Sequence, residues 1–527
     1  MTGPEPSGAH ARNAGSRDGL QMPVSSTAIV PHRGMITFSI MLATIMQVVD
    51  MTIVNVALPH MQGSMSATQD QIAWVLTSYI VAAAIATPLT GVLAGRFGRK
   101  RLFVASVVGF TIASMLCGAA TSLEQIVVYR VFQGMMGAAL VPLSQAVLLD
   151  TYPREKHGSA MALWGMGVMV GPIIGPTLGG WLTEYYSWRW TFYINVPLGT
   201  LALLGVLTFL PETERSRPGR FDYFGFALLA IAIGALQLML DRGETEDWFA
   251  SREIVLEAVA SGLALYLFVV HMFTAKEPFL EPRLFKDRNF VAGLMLMFTV
   301  GVMLLATLAL LPPFLQNLLG FPVVTAGLVL APRGVGTMVA MLVVGRLIGK
   351  VDTRGIVLFG LVATAYSLWE MTLFTAEVSV AQIVYTGVVQ GVGLGFIFVP
   401  LTTVAFSTLD PALRNEGTAM FSLIRNMGSS IGISLFVTLL GQRTQVSHAG
   451  LAEQVTPFRD VLRAPWLPEA WDFTTRAGAV ALDNEVTRQA LMIAYLDDFR
   501  IMMVVTLLAA PLLLLVRTPR RGFGGSR

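Results

Sequence analysis

Charge is what this sequence has least of. Only 13% of its residues are Asp, Glu, Lys or Arg, about half the share of a soluble domain, while 54% are hydrophobic. Water therefore cannot be the main solvent of the folded chain. Cysteine is nearly absent: the single Cys117 sits inside an apolar stretch, which excludes a disulfide framework and a cysteine-based metal centre. Histidine is scarce too. His10, His32, His60, His157, His271 and His448 fall in tails, loops or helix ends, so a membrane enzyme built on buried His, Ser or metal ligands has little to work with. No Gly-x-x-x-x-Gly-Lys-Ser/Thr segment occurs, which argues against ATP-driven pumping by this chain. The net charge of +3 comes from Lys and Arg dispersed among short loops, so nucleic acid is not an expected partner; neither a cofactor nor a metal is expected.

Long apolar runs are what the chain has in their place. A helix needs about 20 apolar residues to cross a bilayer core, because no water is there to bond the backbone. Fourteen segments meet this: 35–58, 72–95, 102–121, 126–149, 158–182, 191–210, 222–241, 254–273, 290–314, 325–348, 355–376, 380–404, 416–440 and 492–516. The first run is too long for a signal peptide and reads as a retained span. With a cytoplasmic N-terminus, the inner segments carry Arg12, Arg17, Arg33, then Arg96, Arg99, Lys100, Arg101, and so on to Arg215, Arg217, Arg517, Arg520, Arg521 and Arg527. The short outer loops hold only Arg189, Arg242 and Arg252. This is the positive-inside pattern, and an even span number puts both ends inside. The segment 441–491 carries five Arg on the outer side but is long enough for the rule to weaken.

The chain also repeats itself. Gln133-Gly134 and Val141-Pro142-Leu143 recur as Gln390-Gly391 and Val399-Pro400-Leu401; Gly158-Ser159-Ala160-Met161 recurs as Gly417-Thr418-Ala419-Met420; Gly171 and Gly175 recur as Gly428 and Gly432. The offset stays near 257–260 residues, so spans 1–6 correspond to spans 9–14 and spans 7 and 8 are an inserted pair. The domain organisation that follows is a tail 1–34, a six-helix bundle 35–210, a two-helix insert 211–289, a second six-helix bundle 290–517 that includes an outer segment 441–491, and a tail 518–527.

Five motifs in order carry a family resemblance. Gly91-Val92-Leu93-Ala94-Gly95-Arg96-Phe97-Gly98-Arg99-Lys100 follows span 2, Arg130-Val131-Phe132-Gln133-Gly134 lies in span 4, and Gly171-Pro172-Ile173-Ile174-Gly175-Pro176 lies in span 5. Asp50-Met51-Thr52-Ile53-Val54-Asn55 and Trp188-Arg189-Trp190-Thr191-Phe192-Tyr193-Ile194-Asn195-Val196-Pro197 complete the set. Together they resemble the fourteen-span drug:proton antiporters of the major facilitator superfamily, the EmrB type. Gly95 stands where that family usually has Asp. The resemblance implies an all-α polytopic membrane protein with the major facilitator fold, two six-helix bundles plus two inserted central helices, in a bacterial inner membrane. It implies a proton-coupled exporter of hydrophobic or amphipathic drugs working by alternating access; an exporter of one metabolite such as a siderophore or sugar is the alternative. It also implies a periplasmic membrane-fusion adaptor and an outer-membrane channel as partners.

An ionisable group at membrane depth is costly and asks for a partner. At 1.5 Å per residue Asp50 lies about 22 Å along span 1, and Arg130 about 6–9 Å below the opposite surface, so the two can meet. Asp50 is the expected proton carrier and Arg130 the group that keeps it able to release the proton; a static pair holding spans 1 and 4 together is the competing reading. Met46, Gln47 and Asn55 near Asp50, with Glu370, Arg333 and Arg425 of the second repeat, are expected around the substrate cavity. Glu370 read as an interfacial acid and Arg333 read as a partner for carbonyls freed by Pro332 are equally open. Arg96, Arg99 and Lys100 are expected to grip carbonyls or acids at neighbouring helix ends in one conformation, or to act as a topology signal alone, and Gly91 and Gly98 belong to the same gating motif. Gln133, Gly134, Gly171, Pro172, Gly175 and Pro176 are expected to form gating elements, the last four giving a bendable seam between the halves or tight packing alone. Met and Phe are abundant, which suits bulky amphipathic compounds, cationic ones included. Pro457, Pro465, Trp466, Pro468 and Trp471 mark the outer segment as short amphipathic helices that dock an adaptor or cap the exit.

Overall fold

The computed structural model describes Gly3, residues 32–212, 220–455, Trp471 and residues 475–516. The expectations placed on Arg12, Arg17, Arg215, Arg217, Pro457, Pro465, Trp466, Pro468, Arg517 and the residues after it lie outside the described residues. Within them the chain is helical, with one isolated bridge between Ile348 and Val351 and no strand. The helices are α1 (Arg33–Met65), α2 (Gln69–Ala86), α3 (Leu89–Phe97), α4 (Arg99–Ala119), α5 (Leu123–Gly137), α6 (Leu140–Thr151), α7 (His157–Tyr185), α8 (Trp190–Tyr193) and α9 (Asn195–Phe209). After them come α10 (Tyr223–Arg242), α11 (Arg252–Thr274), α12 (Arg288–Pro313), α13 (Val323–Leu347), α14 (Thr353–Met371), α15 (Val380–Ser407), α16 (Arg414–Ala452) and α17 (Arg476–Leu508).

Local chemistry sets where many of them start. Thr68, Ser122, Asp222, Asp287, Asp352, Ser379 and Thr475 each accept a hydrogen bond from a backbone N–H of the first turn, satisfying donors that the helix leaves unpaired. Among the described residues, twelve helical segments are long and apolar enough to cross a membrane, and α2 with α3, bent by 56° beside Pro88, makes a thirteenth. The segment expected at 355–376 is the 19-residue helix α14, bracketed by Arg354 and Glu370, which does not reach the same apolarity. The outside of the bundle is greasy: Leu256, Tyr266 and Phe273 of α11 are largely exposed, as a lipid-facing surface requires.

The outer segment differs from the sequence expectation. In place of a break at Gly441, α16 runs on for 39 residues, about 58 Å at 1.5 Å per residue and nearly twice a bilayer core. The helix α17 begins at Arg476, well before the expected 492. No Pro interrupts either extension, and His448–Asp483 (3.1 Å) and Arg443–Asp497 (3.6 Å) tie the two together.

Packing repeats as the sequence does. The pair α1 and α7 is matched by α12 and α16; α2 with α5 by α13 with α15; α4 with α5 by α14 with α15. Between the repeats, α7 packs on α13, and α16 packs on α3 and α6. The pair α10 and α11 packs on itself and leans through α10 on α2 and α16. Glycine rows explain the close approaches. A Cβ on Gly171 would lie 2.4 Å from Val48 Cγ1 and one on Gly175 2.0 Å from Thr52 Oγ1, while their counterparts Gly428 and Gly432 leave only 2.4 Å to the carbonyl oxygens of Phe298 and Val302. These rows therefore face α1 and α12 of their own repeats. The seam between the repeats is on another face of α7, where Gly334 meets Ile173 and Gly345 meets Ala162. The expectation that Gly171 and Gly175 line a seam between the halves is corrected accordingly; helical periodicity alone does not say which neighbour a small-residue stripe meets.

Candidate functional site

Five helices of the first repeat converge on one buried acid. Asp50 on α1 is wholly enclosed, and Arg130 on α5 is 1% exposed. Arg130 Nη1 donates to Asp50 Oδ2 at 2.8 Å; Gln133 Nε2 and Asn195 Nδ2 donate to Oδ1 at 2.8 and 2.6 Å. The guanidinium is itself held in place: Nε donates to the carbonyl of Val75 at 3.0 Å, Nη1 also reaches Gln133 Oε1 at 2.8 Å, and the Tyr79 ring lies 4.2 Å away. Behind Asn195, its Nδ2 donates to Ser114 Oγ at 2.9 Å, and Ser114 donates to the Phe192 carbonyl. Charge-assisted bonds of this kind offset the cost of taking two charges out of water only when the remaining polar atoms are also bonded. The carboxylate here accepts three such bonds.

The sequence placed Asp50 beside Arg130 and missed the rest. Gln133 was expected at a gate, yet its side chain binds the acid, and Gly134 presses on the Tyr79 carbonyl oxygen, 2.4 Å from where a Cβ would stand. Asn195 belongs to a quoted motif without a role; an amide within a membrane-depth segment was the available signal. Met46 and Gln47 are buried on the Asp50 face of α1, Met46 against Gly199 of α9. Asn55, with Met51 one turn before it, is exposed.

The second repeat keeps the scaffold and changes the charge. Counting 257 residues on, Thr307 stands for Asp50, Gln390 for Gln133 and Gly387 for Arg130. Gln390 Nε2 still points to Thr307 Oγ1, at 3.5 Å. Space left by Gly387 is taken by Arg333 of α13, whose Cβ is 3.6 Å from where a Cβ on Gly387 would be. Arg425 of α16 is half-buried and, among the described residues, its side chain reaches only Asn426 Oδ1, at 3.3 and 3.4 Å. Glu370 is elsewhere: α14 turns Leu361, Thr364 and Leu368 inward, which leaves Glu370 beside exposed Tyr366 and Trp369, accepting from the Tyr366 hydroxyl at 2.8 Å. It does not line the cavity that Arg333 lines. Sequence reasoning also overlooked Asp498 on α17, fully buried with neither carboxylate oxygen hydrogen-bonded among the described residues.

At the end of the bundle where α1 begins, Arg99 donates to Asp150 of α6 and to Asn415 Oδ1 (2.7 Å), and Arg414 of α16 donates to the other oxygen of Asp150. Gly98 (φ 89°) makes the left-handed turn that separates α3 from α4, and Gly91 lets α3 approach Glu416 so closely that a Cβ there would lie only 2.9 Å from the Glu416 Cα. Lys100 caps the Leu207 carbonyl at 2.8 Å, while Arg96 is exposed.

Repeated bundles of apolar helices, each about one buried polar centre, define a polytopic membrane transporter. The family model of the Major Facilitator Superfamily matches residues 40–433, and the chain belongs to that superfamily. It is 36% identical to the multidrug export protein EmrB of Escherichia coli (strain K12), over 96% of this chain and 98% of that one. It is 35% identical to the fatty acid resistance protein FarB of Neisseria gonorrhoeae, over 93% and 97%. Among solved structures, the proton:xylose symporter XylE superposes with a TM-score of 0.59 at 13% identity, covering 90% of this chain and 94% of that one, which bears on the fold alone.

Proposed function

We propose that this protein is a proton-driven multidrug exporter of the EmrB type, moving hydrophobic and amphipathic compounds out of a bacterial cell across the inner membrane by alternating access. The observation that carries the reading is the Asp50 centre. A wholly enclosed carboxylate balanced by one guanidinium and two amides gains or loses a proton only at the expense of that network, which couples its charge state to the packing of α1, α2, α5 and α9. Relatives named for multidrug export and fatty acid resistance, similar over nearly their whole lengths, support the substrate class.

In this reading both termini are cytoplasmic, 35–210 and 290–517 are the two moving bundles, and 211–289 is an accessory pair. The Arg99–Asp150–Arg414 cluster is the inner gate. Met46, Gln47, Asn55, Arg333 and Arg425 contribute to the substrate path. The protruding α16–α17 hairpin is the docking place for a periplasmic adaptor that leads to an outer-membrane channel.

The test is reconstitution into vesicles with an imposed pH gradient and several structurally unrelated dyes. Gradient-dependent movement of several dyes by the wild type, lost in a folded Asp50→Asn variant, is the expected result. Full transport by Asp50→Asn removes the proton role; movement of a single substrate class only favours a dedicated metabolite exporter.

A further inference from the structure

Arg333 is a buried cation without a counter-charge. It is 6% exposed, and its guanidinium makes no hydrogen bond or ion pair among the described residues, with Nη1 sealed from solvent. Arginine does not shed its charge at physiological pH, so it has no route to neutrality except a partner. An unpaired charge in a low-dielectric interior is among the most costly arrangements a protein can hold. The space around it is a cavity walled by five helices. Leu296 and Met303 of α12, Leu361 of α14 and Leu394 of α15 supply an apolar body, and Arg333 and Gln390 the polar end. Thr364 and Thr506, also on its wall, give their hydroxyl protons to the helix carbonyls of Gly360 and Met502, which leaves Arg333 as the charged donor facing the cavity. The equivalent place in the first repeat is filled by protein: there Arg130 has Asp50. The second repeat has Thr307 instead of the acid, so among the described residues no carboxylate pairs with Arg333.

We infer that this cavity is a binding site for single-chain organic anions, with a carboxylate head on Arg333 and a hydrocarbon body against Leu296, Met303, Leu361 and Leu394. The inference rests on the exporter reading for its purpose and not for its geometry. It selects against cationic amphiphiles, whose head would face an uncompensated guanidinium.

Three probes with one tail test it: decanoate, decanol and decyltrimethylammonium, titrated calorimetrically into the full-length protein in a neutral detergent with no pH gradient. Decanoate is expected to bind more tightly than the other two and to lose about tenfold or more in affinity in Arg333→Gln, with partial recovery in Arg333→Lys, as loss of a charge-assisted contact requires. Leu394→Trp, which fills the cavity and keeps the charge, is expected to weaken decanoate equally. Retained far-ultraviolet dichroism and elution volume establish that each variant is folded. Unchanged decanoate affinity in Arg333→Gln overturns the site, and so does tighter binding of the ammonium probe. Arg333-dependent binding of phosphatidylglycerol without binding of decanoate overturns it in favour of a bilayer lipid. Because binding is read at equilibrium without a gradient, this result and the Asp50→Asn transport result can fail independently.

Discussion

Asp150 and Arg414, 264 residues apart in the chain, form an ion pair that joins the two repeats at the end of the bundle where α1 starts. Arg99, from the same repeat as Asp150, holds the other carboxylate oxygen. One acid thus ties its own repeat's α4 to the other repeat's α16, and the tie must break for that end to open. Asp150 is partly exposed, so its solvent-screened contribution is modest.

Arg414→Gln is expected to shift the protein toward a state open at this end by about 1 kcal/mol, roughly a fivefold change in population. Spin labels at Lys156 and Lys350, both exposed, report it in a Cys117→Ser background. A longer distance population that grows in the variant is the expected outcome; an unchanged distribution removes the gate.

Arg130→Leu strands the Asp50 carboxylate without its main partner. A loss of about 3–5 kcal/mol is expected, as for other buried pairs broken on one side. Asp50→Asn should cost a comparable amount, because it leaves the Arg130 guanidinium, which does not shed its charge, without a counter-charge; Gln133, Val75 and Tyr79 offset only part of that. Unfolding curves in detergent for both single variants and the double variant measure this, and strongly non-additive values are expected.

Gly432→Ala puts a methyl 2.4 Å from the Val302 carbonyl oxygen, a backbone atom that cannot swing aside. A destabilisation of about 1–3 kcal/mol is expected. Gly262→Ala on α11 meets nothing within 4 Å and should be neutral or stabilising by up to about 1 kcal/mol. Comparing the two melting temperatures separates close helix approach from helix propensity.

Asp222, just before α10, sets a pH dependence. Burial alone would raise its carboxyl, but N–H groups of Gly225 and Phe279 together with His271 outweigh that and hold it below its ordinary value of 3.8. A depressed folded-state value stabilises the protein fully above 3.8 and progressively less as the pH falls through the lower folded value. Asp222→Asn should therefore lower the melting temperature at neutral pH and flatten its fall below pH 3.8, read by thermal scans between neutral and acid pH.

How much of this was legible in the sequence follows from what each signal reports. Asp50 and Arg130 stood out because charge is rare in apolar segments, and rise per residue placed them at matching depth. Asn195 carried no role and Gln133 read as a gating element, since an uncharged amide is unremarkable in composition and takes on this meaning only when it points at the acid. Glu370 looked like a cavity residue by depth alone, but a helix turns about 100° per residue and depth says nothing of azimuth. The apolar run ends at 440, whereas helix continuation depends on backbone bonding that polar residues support equally well.

The sequence by itself determined that the chain lives in a bilayer, that it is built of apolar helices, and that it contains two related runs of them, because these properties reside in composition and periodicity. Only the tertiary structure decided which small-residue rows meet which helices, that Asp50 is bound by three side chains, and that Arg333 has no such partner among the described residues. Those outcomes depend on contacts between residues tens to hundreds of positions apart, and a guanidinium with an acid beside it and one without read the same along the chain.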